Sequence, residues 1–152
     1  MKPNKLVSTT LWAALAVAVL DSIASDVVLK IWYNLSPGQV LEYIASALYG
    51  PSAFAGTSGA ILTGFFIHLL TSLIIAVIYT YAYSRVTLLS KQTVLSGLVY
   101  GFGVWLVLNL IVIPVTHIQK SPFDWSLALT SIAWHMFLVG LPVAIITKKI
   151  QK

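Results

Sequence analysis

The chain has 152 residues, of which 59% are hydrophobic and 9% are charged, and its formal net charge is +5. A soluble globular domain carries about 25% charged residues, so this composition indicates an integral membrane protein. The basic residues are spread among apolar runs and not gathered on one face, which argues against nucleic-acid binding. The absence of cysteine excludes disulfides and thiolate metal sites made by this chain alone.

The first apolar run predicts a transmembrane helix over about residues 6–32. Two acids, Asp21 and Asp26, lie in its second half. A basic start followed by an apolar centre is also typical of a cleavable signal peptide, which is the alternative interpretation. We favour a retained helix because apolar residues resume immediately after the only segment that resembles a cleavage site.

A shorter helix is predicted over about residues 37–49. Ser36 followed three residues later by Gln39, with Pro37 between them, is the pattern of a capping box. About three helical turns cannot span a bilayer, which takes about 20 residues. We therefore expect this helix to lie along the outward membrane surface or to fold back over the mouth of the bundle, as a spacer or as a lid.

Three further apolar runs predict transmembrane helices over about residues 57–83, 92–113 and 125–147. Pro114 is expected to end the third of these helices, and Gly140 with Pro142 to bend the fourth. The predicted fold is therefore all-α, with four transmembrane helices and one interfacial helix in a single membrane domain over residues 1–152.

The charge distribution predicts the orientation of this bundle. If both termini lie on one side, every basic residue except Lys30 and Lys120 lies on that side too. The positive-inside rule then places both termini in the cytoplasm and the protein in the inner (plasma) membrane. All four acids would lie from the middle of the bundle outward: Asp21, Asp26, Glu42 and Asp124.

Polar residues inside the apolar runs are the candidate site, because ionisable groups at membrane depth are costly and often functional. At about 1.5 Å per residue, His68, His135 and Asp21 all come near the middle of the bilayer. By the same measure Asn109 and Asp26 reach the outer third. We predict that these five residues form a binding site or polar path.

Small residues predict where the helices pack. Small residues at four-residue spacing allow close approach of helices in lipid, and the glycines in such stripes are Gly56 and Gly64 in the second helix and Gly97 and Gly101 in the third. Such contacts can join helices within one bundle or between subunits. The bilayer is therefore the first predicted partner, and a homo-oligomer or a larger membrane complex is the second.

Several chemistries suit the candidate residues. His68, His135 and Asp21 could carry protons or bind a cation, or each histidine could simply hydrogen-bond a neighbouring helix. Two histidines at equal depth could also ligate haem, and the same three residues could bind zinc with His117 as an outlying ligand. No HExxH, GxSxG, Walker or Rossmann pattern is present, so no enzyme activity is predicted.

A family resemblance rests on four segments taken together: SPGQVLEYIASALYG, GFFIHLL, GLVYGFGVWLVLNLIVIP and WHMFLVGLP. Their order resembles a group of small bacterial inner-membrane proteins with four helices, YagU-like in broad pattern, over most of residues 36–142. The resemblance implies no activity, but it implies that the following residues belong to the family pattern: His68, Gly97, Gly101, Asn109, Pro114 and His135.

The leading functional hypothesis is therefore solute, ion or proton transport through the polar cluster. An accessory or structural subunit of a larger membrane complex is the alternative, and a bis-histidine haem electron carrier is the third hypothesis.

Overall fold

A computed structural model of the protein describes residues 3–119 and 122–151. This part of the chain is helical and contains no strand, which confirms that the fold is all-α. Four of its helices are long and apolar enough to cross a membrane. In chain order the helices are α1 (Pro3–Tyr33), α2 (Pro37–Tyr49), a 3-10 turn (Gly50–Phe54), α3 (Ser58–Tyr83), α4 (Thr87–Lys91), α5 (Thr93–Val115) and α6 (Trp125–Gln151).

The four long helices run alternately up and down. The start of α1 and the end of α6 lie at one end of the bundle, which we call the terminal end, and α2 lies at the other, the α2 end. Side chains from all four long helices meet in an apolar core in the terminal half: Ala13, Val17, Ile75, Ala76, Tyr79, Val104, Val139, Val143 and Ala144. The bundle is therefore closed by close packing on its terminal side.

The short helix α2 is held on two sides. The predicted capping box at its start is confirmed, because the Ser36 hydroxyl accepts from the Gln39 backbone N–H and the Gln39 side chain accepts from the Ser36 N–H. Its backbone packs against α3 at Gly64. On the other side, the His117 N–H donates to the Ala47 carbonyl over 3.2 Å. These contacts fix α2 against the bundle.

Prolines widen two of the long helices. Helix α5 does not end at Pro114 but continues to Val115, and α6 continues through Pro142. Each proline follows a π-helical turn, Leu108–Val112 in α5 and His135–Gly140 in α6. Proline cannot donate to the carbonyl four residues before it and its ring collides with that group, so a wider turn relieves the crowding.

Three of the four predicted packing glycines lie at close helix contacts. A Cβ at Gly64 would collide with the Leu41 backbone, and a Cβ at Gly97 or Gly101 would collide with the backbone of α6. Gly56 makes no close contact within the chain, because this residue precedes α3, is exposed and has a φ of 71° with no neighbour near its Cβ position. All three contacts are made within one chain, so they give no support to a subunit interface.

The contact between α2 and α3 gives a stability prediction. Gly64→Ala should lower the free energy of unfolding by about 1–3 kcal/mol, because the added methyl meets rigid backbone. Gly59→Ala in the same helix is the matched control, since its Cβ position is open, and it should change stability by less than about 1 kcal/mol. Unfolding in mixed micelles, followed by tryptophan fluorescence, measures both; equal losses in the two variants would contradict this packing.

Candidate functional site

Asp21 of α1 and His68 of α3 face each other in the middle of the bundle. The Asp21 Oδ2 atom lies 3.9 Å from the His68 Nδ1 atom. His68 is buried, with 8% of its surface exposed. The sequence placed both residues at this depth, and the fold brings them together.

The second ring nitrogen of His68 identifies the tautomer. Its Nε2 atom lies 3.0 Å from the Ala18 carbonyl oxygen and 3.3 Å from the Ser22 hydroxyl. A carbonyl oxygen only accepts, so Nε2 carries a hydrogen and donates it. In the neutral ring, Nδ1 then carries the lone pair that faces Asp21. A lone pair facing a carboxylate is favourable only when a proton is added to one of the two groups.

Trp134 of α6 holds the other oxygen of the same carboxylate. Its indole N–H donates to Asp21 Oδ1 over 3.0 Å. The sequence did not lead us to predict Trp134 as a site residue, although it contained a signal. Tryptophan in membrane proteins favours the interfaces, and a tryptophan in the middle of a helix needs a partner for its N–H. Asp21 therefore joins three helices, with Trp134 on one side and His68 on the other.

His135 lies beside this cluster and does not contact His68 directly. Its ring stacks on Trp134 with centroids 5.1 Å apart, and its Nδ1 donates to the Ser131 carbonyl over 2.7 Å. The Ser131 hydroxyl in turn accepts from the indole N–H of Trp105 over 2.7 Å. His135 thus supports Trp134, and Ser131 links α6 to α5.

A cavity of about 680 Å³ opens at the α2 end between α1, α2, α5 and α6. Its walls include Tyr33, Tyr43, Phe54, Trp105, Asn109, Phe123, Asp124 and Ser131. Burial and the neighbouring Tyr33 raise the pKa of Tyr43 above its ordinary value, so the Tyr43 phenol is neutral at physiological pH. Because Ser131 lines the cavity and also holds His135, the cavity floor lies one helical turn from Trp134.

The two remaining predicted site residues form no hydrogen bond with Asp21 or His68, although the Asp26 carboxylate lies close enough to His68 for their charges to interact. Asn109 lines the cavity, where its side chain donates to the Trp105 carbonyl of its own helix over 3.0 Å. Asp26 makes no hydrogen bond or ion pair with other residues that the structure describes. The predicted five-residue cluster is therefore reduced to Asp21 and His68, with His135 one contact away.

Metal and haem can be tested against this geometry. Within residues 3–119 and 122–151, no three His, Asp or Glu side chains are grouped so that they could hold a metal ion. The zinc alternative is thus wrong for these residues, and His117 instead contacts the Ala47 carbonyl. Both ring nitrogens of His68 face groups of α1, and binding haem iron would require one of those contacts to be given up.

Comparison with known proteins adds no family to this description. The chain matches no family model, no curated protein and no solved structure. The resemblance to YagU-like proteins therefore stays a prediction. The geometry of Asp21, His68 and Trp134 supports the function proposed below.

Proposed function

We propose that this protein is a multi-pass membrane protein that moves protons, alone or with a solute, through the Asp21–His68 pair. The observation that carries the proposal is the position of Asp21, held by the Trp134 N–H on one oxygen and facing the His68 ring nitrogen with the other. A carboxylate placed between a fixed donor and an imidazole ring is suited to bind and release a proton.

The exposed surface supports a place in the membrane. Only 17% to 33% of the most apolar stretch of each long helix is buried inside the protein. Large apolar side chains cover the outside of the bundle, for example Leu11, Ile23, Phe66 and Leu110. Soluble monomers rarely expose apolar patches of more than a few hundred Å², and contact with lipid removes this cost. The positive-inside rule then gives cytoplasmic termini and an outward-facing α2 end in an inner membrane.

The pair has an energetic reason to keep one proton. An ionised carboxylate at the bilayer centre costs about 2.5–3.5 kcal/mol on insertion scales. One proton shared by Asp21 and His68 leaves either two neutral groups or a neutral ion pair, and both avoid an isolated charge. The atoms are 3.9 Å apart, longer than a hydrogen bond, so transfer between them requires a small approach of the side chains.

The two ends of the bundle differ in a way that suits one-sided access. The cavity at the α2 end reaches Ser131, whereas the terminal side is filled by fully packed side chains such as Val139 and Val143. A proton reaching the pair from the cavity would need a rearrangement of this core to leave on the other side. We therefore expect gated movement and not an open channel.

The test compares the two histidines in proteoliposomes that contain a pH-sensitive dye. Wild-type protein should carry protons down an imposed gradient faster than empty liposomes do. His68→Gln should reduce the rate by about tenfold or more, because glutamine can donate to Ala18 but cannot take up a proton. His135→Gln should have a smaller effect, since His135 stacks on Trp134 and bonds to the Ser131 carbonyl, and it forms no hydrogen bond with Asp21 or His68. Wild-type liposomes that leak no faster than empty ones, or a larger effect at His135, would contradict the proposal.

A further inference from the structure

The cavity at the α2 end has a chemistry that proton movement does not explain. Its volume of about 680 Å³ is that of a pocket for a small organic molecule. Five aromatic side chains contribute to its walls: Tyr33, Tyr43, Phe54, Trp105 and Phe123. A proton, water or a hydrated metal ion needs no such apolar enclosure, so the walls indicate a ligand with an apolar body.

The charge around the cavity indicates the sign of that ligand. The rim carries the Asp124 carboxylate, whose Oδ1 atom accepts from the Leu127 N–H at the start of α6. Among the described residues that line the cavity, none is basic. Aromatic faces attract cations, and a carboxylate at the mouth of a low-dielectric cleft raises the local concentration of positive ligands.

We propose that this cavity binds an organic cation, an ammonium or phosphonium group carried on an apolar body. The aromatic walls, which include Tyr33 and Tyr43, bury the body, and the Asp124 carboxylate attracts the charge at the rim. The charged end of the ligand therefore stays near Asp124, and its apolar body contacts the aromatic walls. Such a ligand could be a soluble amphiphilic amine or the choline headgroup of a membrane lipid, which share this chemistry.

Two probes of the same shape and opposite charge test the site. Binding of tetraphenylphosphonium and of tetraphenylborate to the full-length protein in maltoside micelles is measured by equilibrium dialysis, with protein-free micelles subtracted. Each probe is measured alone, because the two ions pair with each other in a mixture. The cation should bind in a saturable way with about one site per chain, and the anion should show no saturable binding. Saturable binding of the anion as tight as that of the cation would overturn the proposal.

Substitutions place the binding in this cavity. Tyr43→Leu should weaken cation binding by about fivefold, because it keeps an apolar wall and removes a ring face. Asp124→Asn should weaken it by about threefold, since asparagine still caps the helix but carries no charge. Tyr81→Leu is the matched control, because Tyr81 is exposed on α3 near the terminal end and does not line the cavity. Loss in the control, or no change in the two cavity variants when all three elute as folded protein, would overturn the site.

A final arm identifies the source of the ligand and separates this site from the proton pair. Displacement of the probe by a choline-headgroup phospholipid supports a lipid ligand, and displacement by a soluble quaternary amine alone supports a solute.

Asp21→Asn should leave cation binding unchanged, because Asp21 does not line the cavity. A protein that binds the cation and moves no protons would overturn the proposed function and leave this cavity site standing.

Discussion

Asp21→Asn should reduce proton movement in proteoliposomes by about a hundredfold, because general acid–base groups contribute about 10²–10⁴ to the steps they serve. Asparagine keeps an oxygen that can accept from the Trp134 N–H, so the link between α1 and α6 survives. What it loses is the group that can carry a proton opposite His68 Nδ1. The variant should therefore fold normally and fail only in transfer.

Asp26→Asn provides the matched control for Asp21→Asn. Both acids lie in the second half of α1, but Asp26 makes no ion pair or hydrogen bond with the described residues. Asp26 is partly buried and interacts with His68 only through space, so its substitution should change the rate by about twofold, far less than Asp21→Asn does. If the two variants slow proton movement equally, the effect comes from negative charge in this part of α1 and not from the Asp21–His68 pair.

Gly140→Ala should cost about 3 kcal/mol or more in the free energy of unfolding, a large share of the 5–15 kcal/mol of a typical domain. A Cβ at Gly140 would collide with the Gly97 carbonyl and with the Gly101 backbone. Backbone on both sides cannot rotate away as a side chain could. We therefore expect α5 and α6 to separate, with loss of the monodisperse species on gel filtration.

Gly103→Ala controls for the effect of a methyl group in a long helix. The Cβ position of Gly103 in α5 has no neighbour within 4 Å, and alanine favours a helix over glycine by about 1 kcal/mol. This variant should be as stable as the wild type or slightly more so. Unfolding in mixed micelles gives both values, and a Gly140→Ala protein as stable as Gly103→Ala would contradict the close crossing of α5 and α6.

Much of the fold could be predicted because it depends on local sequence. Run length and polarity predict the long helices, and the Ser36 and Gln39 spacing predicts the start of α2. The π turns could not be predicted in the same way. A proline either ends a helix or is absorbed by a wider turn, and the outcome at Pro114 and Pro142 depends on how neighbouring helices accommodate it.

The site was only partly predictable for a related reason. Depth along a helix follows from counting residues, so Asp21, His68 and His135 could be placed at one level. Rotation about the helix axis depends on contacts between helices, and these bring Trp134 to Asp21 and turn the His135 ring toward its own backbone. Gly56 makes no helix contact within the chain for a local reason, because α3 begins two residues after it, at Ser58.

We propose that Asp21 and His68 share an exchangeable proton inside the bundle. Infrared difference spectroscopy between acidic and alkaline samples tests it most directly, since a protonated carboxylic acid has a carbonyl band distinct from that of a carboxylate. All four acids of the chain contribute to this band, so the Asp21 component is the difference between the wild type and Asp21→Asn. We predict that this component is present in Asp26→Asn and that its midpoint shifts in His68→Gln. An Asp21→Asn band equal to that of the wild type, or a midpoint that ignores His68, would contradict the proposal.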